Sequence, residues 1–186
     1  MPSRKLRHVK PERQIAALPL RLSDAGRIDV LLITSRETGR WVIPKGNPMK
    51  GTKKAQVAAI EALEEAGIVG DVAPKAAHVF DYWKRRDSGF ALCHVDVFVL
   101  FATRLEASWK EAGQRRRLWV PSFVAAHLVL EPGLQSVLSE IAHDEALVDR
   151  LKAHAERIDA GALDIVDDPA PAVVPAATAG TWRFRA

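Results

Sequence analysis

Between Gly46 and Ile68 the chain reads Gly-Asn-Pro-Met-Lys-Gly-Thr-Lys-Lys-Ala-Gln-Val-Ala-Ala-Ile-Glu-Ala-Leu-Glu-Glu-Ala-Gly-Ile. A loop dense in glycine, proline and lysine gives way to an alanine-rich helical pattern. Thr52 suits the N-cap of that helix, and Gly51 before it permits a sharp approach. Gly67 suits the left-handed residue that closes it. At about 100° per residue, Glu61, Glu64, Glu65 and Val57 share one side, and Ala59, Ala62, Leu63 and Ala66 lie opposite. Small alanines let such a helix lie close on a sheet while the acids face a cleft. Three crowded carboxylates repel one another unless a cation sits among them. A hard divalent ion is the simplest resident, because Mg²⁺ takes oxygen ligands of this kind. The lysines alongside, Lys45, Lys50, Lys53 and Lys54, point to a ligand that carries phosphate.

The remaining elements predict a sheet for this helix to lie on. Strands are expected over Gln14–Leu22, Asp29–Thr34 and Trp41–Ile43, the last stopped by Pro44. His78–Arg85 and Phe90–Arg104 read as a hairpin around residues 86–89, with the period of two that a strand requires. Leu118–Val120 is a short strand, and Pro121 heads a short helix to about His127. Glu131-Pro132 opens a further helix with the apolar stripe Leu134, Val137, Leu138 and Ile141. That pattern runs to about Arg157, with a break near His143-Asp144. Strands, helix, strands, helices is the order of an α/β (α+β) chain whose mixed sheet is sandwiched by helices. The chain divides into a basic arm over 1–12, one domain over 13–160, and a Pro/Ala-rich tail over 161–186 in which 166–180 reads as disordered.

The stretch from Gly46 to Ile68 resembles the Nudix box: Gly, five residues, Glu, seven residues, then Arg-Glu-U-x-Glu-Glu-x-Gly-U, with U apolar. Gly46 matches the opening glycine, and Glu61, Glu64, Glu65, Gly67 and Ile68 match the closing block. Thr52 stands where the pattern has its first Glu, and Ile60 where it has Arg. In the family those two side chains typically pair, so losing both exchanges an ion pair for a cap and an apolar contact, whereas losing one would strand a charge. The run Arg40-Trp41-Val-Ile-Pro-Lys-Gly46, and the later run Trp109–Trp119, resemble the diphosphoinositol polyphosphate and diadenosine polyphosphate hydrolase branch. Together the matches span about residues 14 to 142.

The resemblance implies an α/β/α sandwich and a pyrophosphohydrolase that uses Mg²⁺ or Mn²⁺. It implies that Gly46, Glu61, Glu64 and Glu65 form the metal site, with the three glutamates as the catalytic set; the general base is left open. Candidate phosphate ligands are Arg36, Arg40, Lys45, Lys50, Lys53, Lys54, Arg115, Arg116 and Arg117, since guanidinium forks match phosphate oxygens. Tyr82, Trp83 and Trp109 could stack on a base or serve as core. The expected partner is a polyphosphorylated small molecule, of the diadenosine polyphosphate or diphosphoinositol polyphosphate type. Simpler nucleoside diphosphate derivatives are the alternative within the enzyme class. A non-catalytic sensor of a nucleotide or RNA is the alternative outside it, although three repelling acids have no evident use there.

Composition narrows the partners further. The chain has 186 residues, 48% hydrophobic and 27% charged, with a net charge of +4. The positive charge gathers at Arg4–Lys10, Lys45–Lys54, Lys84–Arg86 and Arg115–Arg117, which attracts anions. No nucleic-acid-binding motif accompanies it, so nucleic acid is not the expected partner. No run approaches the ~20 apolar residues of a membrane span, and no apolar core follows the basic N-terminus as a secretory signal would require. Cys93 is the single cysteine, which excludes an intrachain disulfide and suggests a reducing, cytoplasmic setting. A homodimer is left open. The scattered histidines lack ligand spacing and read as structural or exposed.

Overall fold

The computed structural model describes residues 10–87 and 89–161. Their strands are β1 (Glu12–Leu22), β2 (Ile28–Thr34), β3 (Trp41–Val42), β4 (Lys45–Gly46), β5 (Ile68–Val72), β6 (His78–Arg86), β7 (Gly89–Leu105) and β8 (Arg117–Pro121). Their helices are α1 (Lys54–Ala66), α2 (Ser122–Leu128), α3 (Pro132–Ile141) and α4 (Glu145–Gly161). The strands make one mixed sheet along the path β3-β2-β1-β7-β5, with β4 on β1, β6 on β7 and β8 on β2. β1 and β7 run parallel from Glu12↔Cys93 to Leu20↔Phe101. Every other strand ladder is antiparallel.

Alternation along the strands divides the apolar side chains into two cores. Ala16, Leu18 and Leu20 of β1 meet Val30, Val95, Val97, Leu134 and Leu138 on one face, where Leu147 and Leu151 of α4 also pack. Ile15 and Ala17 meet Leu31, Ile33, Phe98 and Leu100 on the other face, under Val57, Ala58, Ala62 and Ala66 of α1. The result is the α/β/α sandwich expected, with α1 on one face and the later helices on the other. Removing this apolar surface from water is what holds the layers together.

β1 changes partner along one edge, and this positions the site. Its far end pairs with β2 at Leu20↔Val30. Its near end pairs with β4 at Ile15↔Gly46 and Ala16↔Lys45. β4 was not legible in the sequence, since a two-residue strand between Pro44 and Pro48 carries no periodicity. β5 was missed too, because Ile68–Val72 follows the helix cap without a turn signal of its own.

Two details of α1 differ from expectation. The helix begins at Lys54 with Lys53 as N-cap, one residue past Thr52. The Gln56 side chain accepts the Lys53 N–H at 3.2 Å, which satisfies an otherwise orphaned amide. The buried stripe is Val57, Ala58, Ala62, Glu65 and Ala66, whereas Leu63 is 43% exposed. The helix is therefore rolled so that one acid of the expected outward face turns inward.

Gly67 closes the helix as expected, at φ 60°, and donates its N–H to the Leu63 carbonyl at 2.9 Å. The ring of Trp109 lies where a Cβ would stand. Gly67→Ala is expected to lower stability by about 1–3 kcal/mol through the left-handed φ and the displaced indole, measured by urea denaturation. The longer C-terminal helical pattern divides at the anticipated break into α3 and α4. There Asp144 accepts the Leu147 N–H at 2.9 Å. Cys93 is a buried free thiol. The arm before residue 10 and the tail beyond residue 161 lie outside the described residues.

Candidate active site

Glu61 and Glu65 stand one turn apart on α1 and lean toward β4. The backbone of Gly46 lies directly against the Glu61 carboxylate, so that any Cβ at position 46 would overlap it. The next amide along, Lys45 N–H, donates to Glu65 Oε2 at 2.9 Å. The box glycine therefore leaves space for a carboxylate, and the two-residue strand that contains it helps hold the neighbouring one. Glu65 is 9% exposed, which corrects the expectation that all three acids face outward.

A fourth carboxylate joins them. The segment between β7 and β8 folds back over the end of α1, and Glu111 N–H donates to the Glu64 carbonyl at 3.2 Å. Glu111 is 8% exposed. Sequence reasoning missed it because this segment was read for its aromatic and basic residues. The signal present was an acid four positions before Arg115, the spacing at which a helical turn brings opposite charges together.

Cations partner three of the four acids. Arg115 bonds Glu65 through Nη2 and Glu111 through Nε, the latter at 2.5 Å. Arg36 reaches Glu111 at 3.2 Å, and Lys110 reaches Glu64 at 2.6 Å. Among the described residues no cation or donor is paired with the Glu61 carboxylate. Burial, then the charges of Glu65, Glu64 and Glu111, push its pKa up to about 7. Burial also raises Glu65, against the opposing pull of Lys45 N–H and Arg115.

The expected phosphate ligands separate into two groups. Arg115 and Arg36 are turned to the acids. Arg117 bonds the carbonyls of Ala66 and Glu106 at 3.3 and 3.2 Å and stacks on Trp109. Lys54 pairs with Asp96 at 2.7 Å. Arg40 pairs with buried Glu131 at 3.1 Å. The Lys45 ammonium lies 5.8 Å from the centre of the Tyr82 ring, and burial lowers its pKa against the attraction of Glu65 and Glu131. Lys50 and Lys53 are exposed, and Arg116 lies over Trp41. Of the aromatic candidates, Tyr82 is core and donates to Gln14 at 2.7 Å, Trp109 packs on Gly67, and Trp83 is exposed.

The residues fit a hard divalent cation by charge and donor type. Four carboxylates face three cations, and the uncompensated charge falls on Glu61, half-buried beside its three neighbours. Among the described residues no three His, Cys, Asp or Glu side chains are already gathered tightly enough to hold a metal ion. Glu64 and Glu65 are instead engaged in ion pairs with Lys110 and Arg115.

This architecture, with a carboxylate helix seated on a glycine strand, is the Nudix fold. A solved Ap4A hydrolase from Caenorhabditis elegans superposes with a TM-score of 0.50 at 17% identity, over 70% of this chain and 96% of that one. In sequence the chain resembles Nudix hydrolases. It is 28% identical over 94 residues to Nudix hydrolase 4 of Arabidopsis thaliana, covering 50% of this chain and 44% of that protein. It is also 28% identical over 122 residues to the mitochondrial Nudix hydrolase 16 of the same plant, covering 63% of this chain and 68% of that protein. The chain thus spans less than half the length of the first of these relatives. No family model matches the chain.

Proposed function

We propose that this chain is a metal-dependent pyrophosphohydrolase that cleaves a phosphoanhydride bond in a polyphosphorylated nucleotide or inositol. The observation that carries the proposal is the Glu61 carboxylate, left without a cation among the described residues amid Glu64, Glu65 and Glu111. A phosphoanhydride resists hydrolysis because its oxygens are anionic and repel a nucleophile. Mg²⁺ or Mn²⁺, held by Glu61, Glu64 and Glu65 with the Gly46 backbone beside them, would neutralise that charge and lower the pKa of bound water. The protein's own groups bind and orient the substrate. Lys50, Lys53 and Arg116 are exposed cations near the box, whereas Lys45 and Arg40 are more enclosed and Arg40 is already paired with Glu131. A carboxylate of the cluster accepts the proton of the attacking water. The buried free thiol of Cys93 suits a reducing compartment such as the cytoplasm. No helix among the described residues is long and apolar enough to cross a membrane.

The test is a substrate panel of diadenosine polyphosphates, diphosphoinositol polyphosphates and nucleotide sugars, assayed with Mg²⁺, with Mn²⁺ and with chelator. Turnover is expected only with metal and chiefly on the first two classes, and Glu64→Gln is expected to lower it by about 100-fold or more. Tight binding without turnover across the panel would instead make the chain a sensor. Absence of both would end the proposal.

A further inference from the structure

β6 is an edge strand. It pairs with β7 on one side, from His78↔Val97 to Arg86↔Gly89, and with no strand among the described residues on the other. Its outward N–H and C=O groups have no partner among those residues. An open edge of nine residues is a ready template for pairing with another chain. Alternation puts Phe80 and Tyr82 into the core and leaves Val79, Asp81, Trp83 and Arg85 together on the opposite face. There Val79 is 56% and Trp83 59% exposed, and Phe90, opposite Arg85 across the hairpin, is 70% exposed. Half-buried Leu92 stands opposite Trp83. Four apolar side chains gathered on one hairpin face differ from the scattered exposure that is normal of a protein surface.

Charges along an open edge ordinarily keep copies of a chain apart. Here their order does the reverse. Asp81 and Arg85 flank Trp83 at equal spacing, two residues to either side. A second β6 laid antiparallel, with Trp83 opposite the partner's Trp83, sets Asp81 against the partner's Arg85 and Arg85 against the partner's Asp81. Centring the pair on Asp81 instead brings two carboxylates face to face, and centring it on Lys84 sets Asp81 against the partner's Asp87. Centring it on Tyr82 sets Asp81 against the partner's Trp83. Of the registers with a two-fold axis through one residue pair, the one on Trp83 is therefore the one that gives Asp81 a cation. Both groups are free to meet it: Arg85 has no acidic partner among the described residues, and Asp81, although it meets His94 Nδ1 at 2.7 Å, keeps a side chain 58% exposed.

We propose that β6 is a homodimer interface, in which two copies of this chain pair antiparallel edge to edge, with Trp83 on the two-fold axis and reciprocal Asp81–Arg85 ion pairs on either side. Such a contact is isologous and closes on itself. It joins the two sheets into one, satisfies the outward backbone groups of β6, and withdraws the exposed indole from water. Aromatic pairs and opposite charges set directly across a strand pair are the contacts that fix its register. Dimerisation of this kind is independent of whether the chain hydrolyses anything.

The test is sedimentation equilibrium of the full chain across a concentration series, with circular dichroism to report folding. The wild type is expected to sediment as a dimer of 20.4 kDa chains. Asp81→Arg and Arg85→Asp each set like charges opposite one another, and each is expected to weaken the dimer by about 100-fold or more. Mixed in equal amounts, the two single variants are expected to form a heterodimer, because one strand then carries only cations at these two places and the other only acids. The double variant Asp81→Arg/Arg85→Asp is expected to regain the homodimer, since its charges are exchanged and still complementary. Trp83→Glu, which sets two carboxylates on the axis, is expected to yield a monomer and serves if an Asp81 variant fails to fold. A monomeric wild type overturns the proposal. So does a dimer that Trp83→Glu and both single reversals leave intact. Association lost in each single variant and regained neither in the mixture nor in the double variant would also sink it. A monomer that instead binds a single-stranded oligonucleotide through Trp83 and Arg85, read by fluorescence anisotropy, would assign this face to nucleic acid and refute the dimer.

Discussion

Glu61→Gln is expected to reduce turnover by about 10²–10⁴-fold while making the metal-free protein more stable. The two effects have opposite sign because one carboxylate causes both. Glu61 is half-buried among Glu64, Glu65 and Glu111, without a cation of its own among the described residues. Its charge is therefore costly to the fold and useful to a metal. Glutamine keeps the shape and removes the charge. A variant that lost activity by misfolding would lose stability as well, so melting and kinetics on one preparation separate the explanations.

The same residue sets a pH dependence. Its pKa rises from the ordinary 4.5 to about 7 on folding. The folded protein thus keeps a proton that the unfolded chain has released. Stability from this group is complete below about pH 4.5 and is lost as pH climbs through 7. Glu65 is shifted in the same direction and adds to the trend. Urea denaturation of metal-free protein at pH 5 and pH 8 should show the wild type weaker at pH 8. Glu61→Gln should flatten the difference, and a pH profile that the substitution leaves unaltered would refute this account.

Gly46→Ala is expected to be nearly as damaging to turnover, by about 100-fold, although it adds a single methyl group far smaller than the side chains around it. The reason is contact: the methyl would occupy the volume of the Glu61 carboxylate. The strand is fixed by its pairing with Ile15 and Ala16, so the glutamate has to move. The expected signature is low kcat with the secondary structure retained by circular dichroism. Glu61→Ala in the Gly46→Ala background should restore packing but not turnover. Full activity in Gly46→Ala would show that the Glu61 carboxylate can leave its seat without loss.

The sequence made the acid helix, its glycine cap and the sandwich legible because each rests on local pattern. Alanines at helical spacing, a glycine at the end and alternating strands need no knowledge of distant partners. What escaped depends on residues brought from elsewhere. Glu65 was expected to face outward because the helical period puts it with Glu61 and Glu64; Lys45 N–H and Arg115 satisfy it inside, from twenty residues upstream and fifty downstream. Glu111 was overlooked because its segment was read for its aromatic and basic residues; Arg115 four residues on was a local signal, whereas Arg36 lies seventy-five residues upstream. Arg115 and Arg117 were grouped with Arg116 as phosphate ligands, yet Arg115 turns to acids and Arg117 to carbonyls. A run of three like residues gives no indication of which face of the loop each will take.

The parallel pairing of β1 with β7 has a kinetic consequence. The opening strand finds its longest partner more than eighty residues later, at Glu12↔Cys93 through Leu20↔Phe101. During synthesis β6 and β7 can zip together as a neighbouring hairpin, but the centre of the sheet stays open until β7 has emerged. High contact order of this sort slows folding. A fragment ending after α1 would carry every box glutamate and have no finished platform beneath them, so the acids gain their seat only once β7 has been made.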